Sequence, residues 1–492
     1  MNFNEYKYLD LPKISEEILS YWKKNEIFKK SVNKTSGKNP YIFFEGPPSA
    51  NGLPGIHHVL ARSIKDIFLR FKTMKGFYVQ RKAGWDTHGL PVELGVENSL
   101  GITKEDIGKK ISVEDYNEEC KKAVMKYTDI WNDLTLKMGY WVDVNNPYVT
   151  YTPKYMESVW WLLKQIYDKE LMYKGYTIQP YSPKAGTAIS SHELNQPGTY
   201  QDVSDTTVTA QFKLLNKNLP DFLNSDTDIF VIAWTTTPWT LPSNTALTVG
   251  PKIKYSLIRS FNQYTGIKAD FIVAEDLISK QFSNVYYESD NLQDLAEYKF
   301  NAKKIPFVKI NSFLGKELEN IKYEQLIDYA VPYENPKDAF RIILGDFVTT
   351  TDGTGIVHTA PTFGADDALV AKSAKPPVPP MLVKDSNGDL VPLVDLQGKF
   401  RPEMRELAGK FVKNEYYEKD NVPEKSVDVE IAIKLKTENR AFKVEKYKHS
   451  YPNCWRTDKP ILYYPIDSWF IKASSFRDKM VSLNNKINWK PK

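Results

Sequence analysis

Two adjacent histidines follow a loop of small residues near the start of the sequence. The run 41–44 has strand character and ends at Glu45, and Pro47 and Pro48 prevent further strand pairing. The loop continues to Gly55-Ile56-His57-His58, where apolar residues begin to recur at helical spacing. A helix N-terminus binds anions, so this segment could hold nucleotide phosphates while a carboxylate attacks the α-phosphorus. The same residues also fit a tight turn with two surface histidines.

A second polar loop follows a second predicted strand. Gly76 ends the helical pattern, the run 77–79 has strand character, and Asp86 stands in the loop that begins at Gly84. The pattern predicts a βαβ unit, whose ligand crevice lies at the carboxyl ends of the parallel strands. Both loops should therefore face one pocket. A carboxylate there could pair with a substrate ammonium group, although an aspartate after a glycine can also cap a turn.

Hydroxyl and acidic side chains cluster further along the sequence. The run 233–244 places three consecutive threonines between two tryptophans, and the run 353–367 carries His358 and ends in two aspartates. Hydroxyl groups can hold a ribose and a water molecule, and a carboxylate can hold an ammonium group. Taken alone, a threonine-rich run favours an edge strand, and Asp366 fits a helix cap.

The order of predicted elements indicates an α/β fold in which a Rossmann-type parallel-sheet domain is interrupted by an inserted β-rich domain. Helical spacing from Pro153 onward predicts a buried stripe that comprises Val159, Leu162, Leu163 and Ile166. The predicted segments are an N-terminal helical extension at 1–40, the first half of the α/β domain at 41–180, a connecting segment at 181–200, the β-rich domain at 201–395, and a return to the α/β domain at 396–492.

Composition limits the possible classes of protein. The 492 residues include 41% apolar residues, enough for more than one core, and no apolar run is long enough to span a membrane. Two cysteines, Cys120 and Cys454, exclude a disulfide framework and an all-cysteine metal site. The formal charge of +5 permits nucleic-acid contacts without requiring them. We expect a cytoplasmic protein that does not associate with membranes.

The segment 45–58 resembles the signature of class I aminoacyl-tRNA synthetases. Its flank, 47–54, looks like the isoleucine-specific members, and the loop 84–93 matches the same family. The resemblance implies a Rossmann-type catalytic domain that uses ATP with Mg²⁺ as a substrate to activate L-isoleucine and transfers it to tRNA(Ile), most often as a monomer. It further implies amino-acid-binding, ATP-binding and catalytic residues. These are Gly46, Pro47 and Asp86 for the amino acid, Asn51, Gly55, His57 and His58 for ATP, and His57 and His58 for catalysis.

The sequence departs from that signature at one point. The family has His-x-Gly-His, whereas this chain has Gly55-Ile56-His57-His58, so the first histidine and the glycine have exchanged places. The family's glycine leaves space for adenine beside the backbone. We therefore expect His57 to supply the phosphate contact that a histidine at Gly55 would make, in a reshaped nucleotide pocket. His88 is expected only to hold its loop.

The two polar runs in the β-rich domain resemble the editing domain of the isoleucine, valine and leucine enzymes. By that resemblance, Thr235, Thr236 and Thr237 contact the terminal adenosine of tRNA and the attacking water, and Asn244 supports them. Asp367 would bind the substrate's α-ammonium group, and His358 would limit side-chain size. Such a domain is needed because a pocket for isoleucine rejects valine by only about 1–3 kcal/mol, a limit for which these enzymes are the standard example.

The two segments that form a zinc knuckle in the family are recognisable here, but most of their metal ligands are missing. Ser182 and Ala185 stand where two cysteines would be, and Cys454-Trp455-Arg456-Thr457 keeps one of the other two. Four thiolates form the usual tetrahedral site, so we predict no structural zinc and no other metal ligands.

Other functions remain open at this point. A valine- or leucine-specific enzyme is one alternative, a deacylase that only edits aminoacyl-tRNA is a second, and a non-catalytic tRNA-binding module is a third. The second ATP motif of the family, Lys-Met-Ser-Lys-Ser, is missing from the sequence. We therefore expect a fragment of a longer synthetase that does not complete activation efficiently by itself.

Overall fold

The structure is a computed structural model that describes residues 5, 8–217 and 219–489. Residues 1–4, 6, 7, 218 and 490–492, which fall in the predicted N-terminal extension, β-rich domain and C-terminal segment, lie outside the described residues. The chain divides into two compact units, one formed by the described residues up to Tyr173 and from Ile471, the other by Lys174–Phe470. The domain boundaries stay predictions, because compactness alone does not show which segment is an insertion.

Helices dominate the first unit. They are α1 (Leu11–Lys24), α2 (Ile27–Lys34), α3 (Ile56–Met74), α4 (Leu90–Leu100), α5 (Val113–Val124), α6 (Thr128–Lys137), α7 (Pro153–Asp168) and α13 (Arg477–Asn484). Two short strands, β1 (Lys82–Trp85) and β2 (Asp143–Val149), pair in parallel. Helix α3 confirms the helix predicted after the histidine pair.

The two strands predicted around α3 are shorter than the sequence suggested. In place of ladders at 41–44 and 77–79, a single parallel bridge joins Pro40 to Tyr78. Phe44 is 88% exposed, so no strand among the described residues covers the first run. The parallel direction was predicted correctly, but strand character in a sequence does not supply the neighbouring strand that a ladder needs.

The predicted buried stripe on α7 was wrong. Val159, Leu162 and Leu163 are 38%, 54% and 39% exposed, and Ile166 is only partly buried. Helical periodicity identified the apolar face correctly, but it carries no information about what packs on that face. Among the described residues, nothing covers it fully.

The second unit is rich in short strands. They are β3 (Met172–Ser182), β4 (Thr187–Ala188), β5 (Tyr200–Lys213), β6 (Ile229–Thr235), β7 (Ala246–Val249), β8 (Lys254–Phe261), β9 (Lys268–Ala274), β10 (Tyr286–Glu288), β11 (Ile305–Leu314), β12 (Arg341–Leu344), β13 (Ile356–Thr359), β14 (Leu382–Lys384), β15 (Leu390–Pro392), β16 (Ala441–Cys454), β17 (Lys459–Pro460) and β18 (Leu462–Ile471). Its helices are α8 (Ser191–Leu194), α9 (Ile278–Gln281), α10 (Leu292–Glu297), α11 (Ala365–Ser373) and α12 (Val427–Thr437).

Eleven strands of the described residues form one mixed sheet. Its main path runs β10-β11-β8-β9-β6-β13-β7-β12. Strand β13 lies between β6 and β7, parallel to the first at Val357 and Trp234 and antiparallel to the second, with His358 opposite Leu247. Nearly every residue of β6 is buried, as expected for a central strand covered on both faces. The two candidate polar runs therefore meet in the middle of this sheet.

A long two-stranded ribbon borders the same sheet. Strands β5 and β16 pair in antiparallel fashion from Ala210 and Ala441 to Tyr200 and Pro452. This pairing brings together the two ends of the chain segment that connects β5 to β16. The ribbon connects to the rest of the sheet through the pairing of β5 with β6.

A buried charge network holds the turn after β6. Asp428, 5% exposed at the start of α12, accepts a hydrogen bond from the Trp239 backbone amide at 2.9 Å. The Lys413 ammonium lies 3.8 Å from Asp428 and 3.2 Å from Asp205 on β5. Burial raises the pKa of the Asp428 carboxyl to about 6, and the nearby Lys413 opposes this rise. The network ties α12, the ribbon and the threonine-rich turn to one another.

We expect Asp428→Ala to lower the free energy of unfolding by about 3–5 kcal/mol, because it leaves the buried Lys413 ammonium with one partner fewer. The Lys448→Ala variant is the control, since its ion pair with Asp202 is 3.0 Å long but exposed on the same ribbon. That variant should lower the free energy of unfolding by less than about 1 kcal/mol. Urea titrations followed by circular dichroism compare the two variants with the wild type. Equal effects would contradict the structural role of the buried network.

Candidate functional site

The first candidate site surrounds the N-terminus of α3. An open pocket of about 500 Å³ is lined by the loop after Glu45, by α3 and by Trp131 of α6. Of the residues predicted from the sequence, it contains Gly46, Pro47, Asn51 and His58. The loop is held by Trp131, whose indole N–H donates to the Gly52 carbonyl at 2.8 Å. Gly55, His57 and Asp86 do not line this pocket.

His58 has a defined orientation. The Gly55 backbone amide donates to its Nδ1 at 2.9 Å, so the proton of the neutral ring resides on Nε2. Burial lowers the pKa of His58, with smaller contributions from His57 and Arg62. Its ring also meets Trp131 edge-on at 4.7 Å. His58 can therefore donate a hydrogen bond from Nε2 to an anionic oxygen without itself being charged.

His57 fills the space next to the exchanged glycine. A Cβ atom added at Gly55 would lie 2.8 Å from Cε1 of His57, closer than real Cβ contacts allow. The His57 and His58 rings are 3.8 Å apart between centroids. The His57 imidazole thus lies over the position from which a histidine at residue 55 would project. The two differences from the family signature are spatially coupled.

The second loop is linked to the first through the backbone. The Asp86 amide donates to the Pro48 carbonyl at 2.9 Å, which brings the two predicted loops together. The side chain of Asp86 is exposed. His88 contacts the Thr150 hydroxyl at 2.8 Å, in agreement with a role in holding the loop.

Charged side chains at this pocket were missed in the sequence. Arg62, 9% exposed, donates to the Thr135 hydroxyl at 2.6 Å and lies 4.9 Å from the Trp131 ring centroid. Glu45 accepts hydrogen bonds from Lys65 and Tyr140. Arg62 and Lys65 project from α3 one and two turns after the histidines, and that spacing was the available signal. They place two cationic groups beside the pocket, where Lys65 is paired with the Glu45 carboxylate.

The second candidate site is centred on His358 in β13. The Asn244 side-chain amide lies 2.8 Å from its Nδ1, and the Thr240 hydroxyl lies 3.1 Å from its Nε2. Burial lowers the pKa of His358 to about 3, so the ring is neutral. With both nitrogens engaged, the ring can form a fixed wall but has no free nitrogen for acid–base chemistry.

The threonine-rich turn lies beside that histidine. The Thr237 amide donates to the Thr235 hydroxyl at 3.1 Å, and the Thr240 hydroxyl donates to the Thr237 carbonyl at 2.8 Å. An open pocket of about 310 Å³ is bordered by Thr235, Thr236 and His358, and by the loop that precedes β13. The structure thus brings all three threonines, Asn244 and His358 into one region.

Asp367 lies apart from this hydrogen-bonded cluster. It belongs to the first turn of α11 and accepts a hydrogen bond from the Ala360 amide at 2.8 Å. Burial raises the pKa of Asp367 to about 6, and Asp366 adds to the rise. Gly364 leaves room for this carboxylate, because a Cβ there would lie 2.5 Å from Oδ2. Asp367 does not line the 310 Å³ pocket.

Two residues that support His358 were not selected from the sequence. Thr240 lies within the run 233–244, but nothing in the sequence distinguishes it from its neighbours. Tyr323, whose hydroxyl donates to Asn244 Oδ1 at 2.6 Å, lies in no motif. A buried tyrosine hydroxyl needs a hydrogen-bond partner, but the sequence around it does not reveal which one.

The zinc-knuckle frame keeps its turns without its ligands. Ser182 Oγ accepts a hydrogen bond from the Ala185 amide at 3.2 Å, and the amide of Asp458 donates to the Cys454 carbonyl at 2.8 Å. Among the described residues, no group of three or more His, Cys, Asp or Glu side chains could hold a metal ion. One thiol in four positions does not fit tetrahedral zinc, and the absence of zinc stays a prediction. No described helix has the length and apolar character to cross a membrane.

Comparison with known proteins identifies relatives over almost the whole chain. The family model of class I tRNA synthetases (I, L, M and V) matches residues 17–492. A protein of Bacteroides fragilis named isoleucine–tRNA ligase is 55% identical over 505 residues, covering 99% of this chain and 43% of the relative. Proteins of the same name from Cytophaga hutchinsonii and Clostridium novyi are 56% and 41% identical, covering 100% and 97% of this chain and 44% and 40% of their own lengths.

The chain spans less than half the length of these curated relatives. A solved structure entitled "The crystal structure of GlLeuRS-CP1" matches 49% of this chain and 99% of its own, at 14% identity and a TM-score of 0.30, which is too low to support an argument about the fold. The match of the family model and the sequence identities are sufficient to assign the family. The chain belongs to the class I tRNA synthetases of the isoleucine, leucine, methionine and valine group.

Proposed function

We propose that this chain carries half of the activation site and the editing site of an isoleucine–tRNA ligase. The full natural protein would activate L-isoleucine with ATP and Mg²⁺, transfer it to tRNA(Ile), and hydrolyse valyl-tRNA(Ile). The isoleucine specificity is supported by the names of relatives that are 51–56% identical. We place the protein in the cytoplasm, as a monomer, without structural zinc, and with its β-rich unit as an insertion in the catalytic domain.

The observation that carries this proposal is the meeting of two separate segments at His358. The threonine-rich turn and the strand with His358 are more than a hundred residues apart in sequence, yet Thr240 and Asn244 contact both ring nitrogens. Such polar groups are tolerated inside a sheet here because both ring nitrogens of His358 have hydrogen-bond partners. Such a second site would remove the valine that a pocket for isoleucine cannot exclude.

Activation requires the substrate carboxylate to attack the α-phosphorus of ATP while the bond to the β-phosphate breaks and pyrophosphate leaves. His58 Nε2–H and the N-terminus of α3 would stabilise the charge on the phosphate oxygens. Gly46 and Pro47 would form the floor of the isoleucine pocket, Asn51 and Gly55 would contact ATP, and Asp86 would pair with the ammonium group.

Editing requires a water molecule to attack the ester carbonyl, after which the bond to the ribose oxygen breaks and the amino acid leaves. The hydroxyls of Thr235, Thr236 and Thr237 would hold the ribose and the water. Asp367 would hold the ammonium group of the substrate, and it must be ionised to do so. The rigid His358 ring would exclude the larger isoleucyl group.

We expect this chain to deacylate valyl-tRNA(Ile) faster than isoleucyl-tRNA(Ile), with a rate that rises as the pH rises through about 6. The sign follows from the pKa of Asp367, which burial raises to about 6, so its carboxylate becomes fully ionised only above that pH. Initial rates of release of labelled amino acid, corrected for spontaneous hydrolysis at each pH, measure the preference for the valyl ester and the pH dependence of the rate.

The Asp367→Asn variant is the matched control, because it keeps the size of the side chain and loses its charge. It should lose most of the activity together with the rise near pH 6. Absence of hydrolysis of either ester by folded wild-type protein would refute the editing function.

We expect His57→Gly, in the full natural protein, to raise the Michaelis constant for ATP about tenfold or more, through loss of a hydrogen bond to a charged phosphate. The double variant Gly55→His with His57→Gly restores the family signature and should recover most of this loss. Gly55→His alone should also weaken ATP binding, because its Cβ would meet the His57 ring. ATP–pyrophosphate exchange measures the constant. An unchanged value for His57→Gly would show that His57 does not contact the phosphates.

A further inference from the structure

Tyr323 is a fully buried tyrosine next to the proposed editing site. It is 2% exposed, and its backbone forms an antiparallel bridge with Leu214 near the end of β5. Its ring packs against Phe212 and Phe340, with centroid distances of 5.4 and 6.3 Å. Its hydroxyl donates to Asn244 Oδ1 at 2.6 Å. The ring is therefore held by the core, and the hydroxyl has one specific partner.

The hydrogen bonds around Asn244 leave little choice of orientation. Its oxygen accepts from Tyr323, and its nitrogen donates to the Ala246 carbonyl at 2.8 Å. The second hydrogen of that nitrogen points to His358 Nδ1, also at 2.8 Å. His358 must then accept at Nδ1 and carry its proton on Nε2.

The same order continues to the threonine-rich turn. The Thr240 hydroxyl donates its single hydrogen to the Thr237 carbonyl, so it can only accept from His358 Nε2–H. Four side chains thus form one directional chain of hydrogen bonds. The chain begins at the Tyr323 hydroxyl and ends at the backbone of the threonine-rich turn, and the Asn244 amide nitrogen also contacts the Ala246 carbonyl at 2.8 Å and the Thr359 carbonyl at 3.4 Å.

We propose that Tyr323 is a positioning residue for editing: through Asn244 it fixes the plane of the His358 ring, and this fixed ring sets the size limit of the editing pocket. The inference rests on the proposed editing function and extends it to a residue outside both editing segments. Tyr323 acts without touching the substrate.

Removal of the hydroxyl should have a specific effect. Asn244 Oδ1 would be left buried without a donor, and burial of an unpaired oxygen is costly. Rotation of the amide would not relieve this cost, because its oxygen would then face two acceptors, the Ala246 carbonyl and His358 Nδ1. Either change loosens the His358 ring. A looser wall admits the larger isoleucyl group, so discrimination should fall more than overall activity.

The test is the ratio of deacylation rates for valyl-tRNA(Ile) and isoleucyl-tRNA(Ile), measured on the full natural protein and its Tyr323→Phe variant. We expect Tyr323→Phe to lower this ratio by about three- to tenfold, the usual range for loss of one buried hydrogen bond. Thr240→Val, which removes the partner of Nε2, should lower the ratio in the same direction. It provides a second test if the first variant folds poorly.

Two controls separate positioning from general stability. Tyr286→Phe removes a hydroxyl that donates to the Phe261 carbonyl at 3.0 Å in the same core, and it should leave the ratio unchanged. In a His358→Ala background, Tyr323→Phe should have no further effect on the ratio, because the wall is already absent.

An unchanged ratio in folded Tyr323→Phe, or a reduction that persists in the His358→Ala background, would overturn the positioning role. If the wild-type protein hydrolyses neither ester, the editing function itself fails and this inference fails with it. If the wild-type protein prefers valyl-tRNA(Ile) and Tyr323→Phe has the same ratio of rates, the editing function stands and only the proposed role of Tyr323 is wrong.

Discussion

The polar centre of the second unit is built around a buried histidine whose two ring nitrogens are both hydrogen-bonded. His358 lies on β13 between β6 and β7, and burial of such a ring is tolerated only when its polar atoms have partners. Asn244 and Thr240 supply them from a turn that is remote in sequence. Asp428 holds this turn, because its carboxylate accepts a hydrogen bond from the Trp239 backbone amide. The charge network, the ribbon and the central strands thus support one rigid polar centre.

The candidate site of the first unit is built differently. Its pocket is open, and its candidate groups lie at the start of a helix whose amides and dipole already favour phosphate. Here the exchange of Gly55 and His57 is informative, because the His57 ring occupies the space beside the glycine. The glycine at residue 55 and the histidine at residue 57 are therefore coupled, because a side chain at residue 55 would meet the His57 ring.

The sequence predicted local features better than their surroundings. Helix α3 and the β-rich character of the second unit followed from periodicity and turn residues, and the convergence of the polar runs followed from the resemblance. The exposure of α7 and the short pairing near Tyr78 could not be predicted, because a pattern in one element does not specify what packs beside it. Tyr323 was missed for a related reason. It acts through Asn244, which is more than seventy residues away, and no local pattern records such a contact.

The most direct test of this account is the protonation state of His358, measured by the nitrogen chemical shifts of its imidazole ring in selectively labelled protein. The His358→Ala variant assigns the signals among the six histidines of the chain. We expect a neutral ring with its proton on Nε2 throughout the range between about pH 5 and 8. A proton on Nδ1, or a ring that becomes charged within this range, would contradict the hydrogen-bond chain on which the proposed editing site depends.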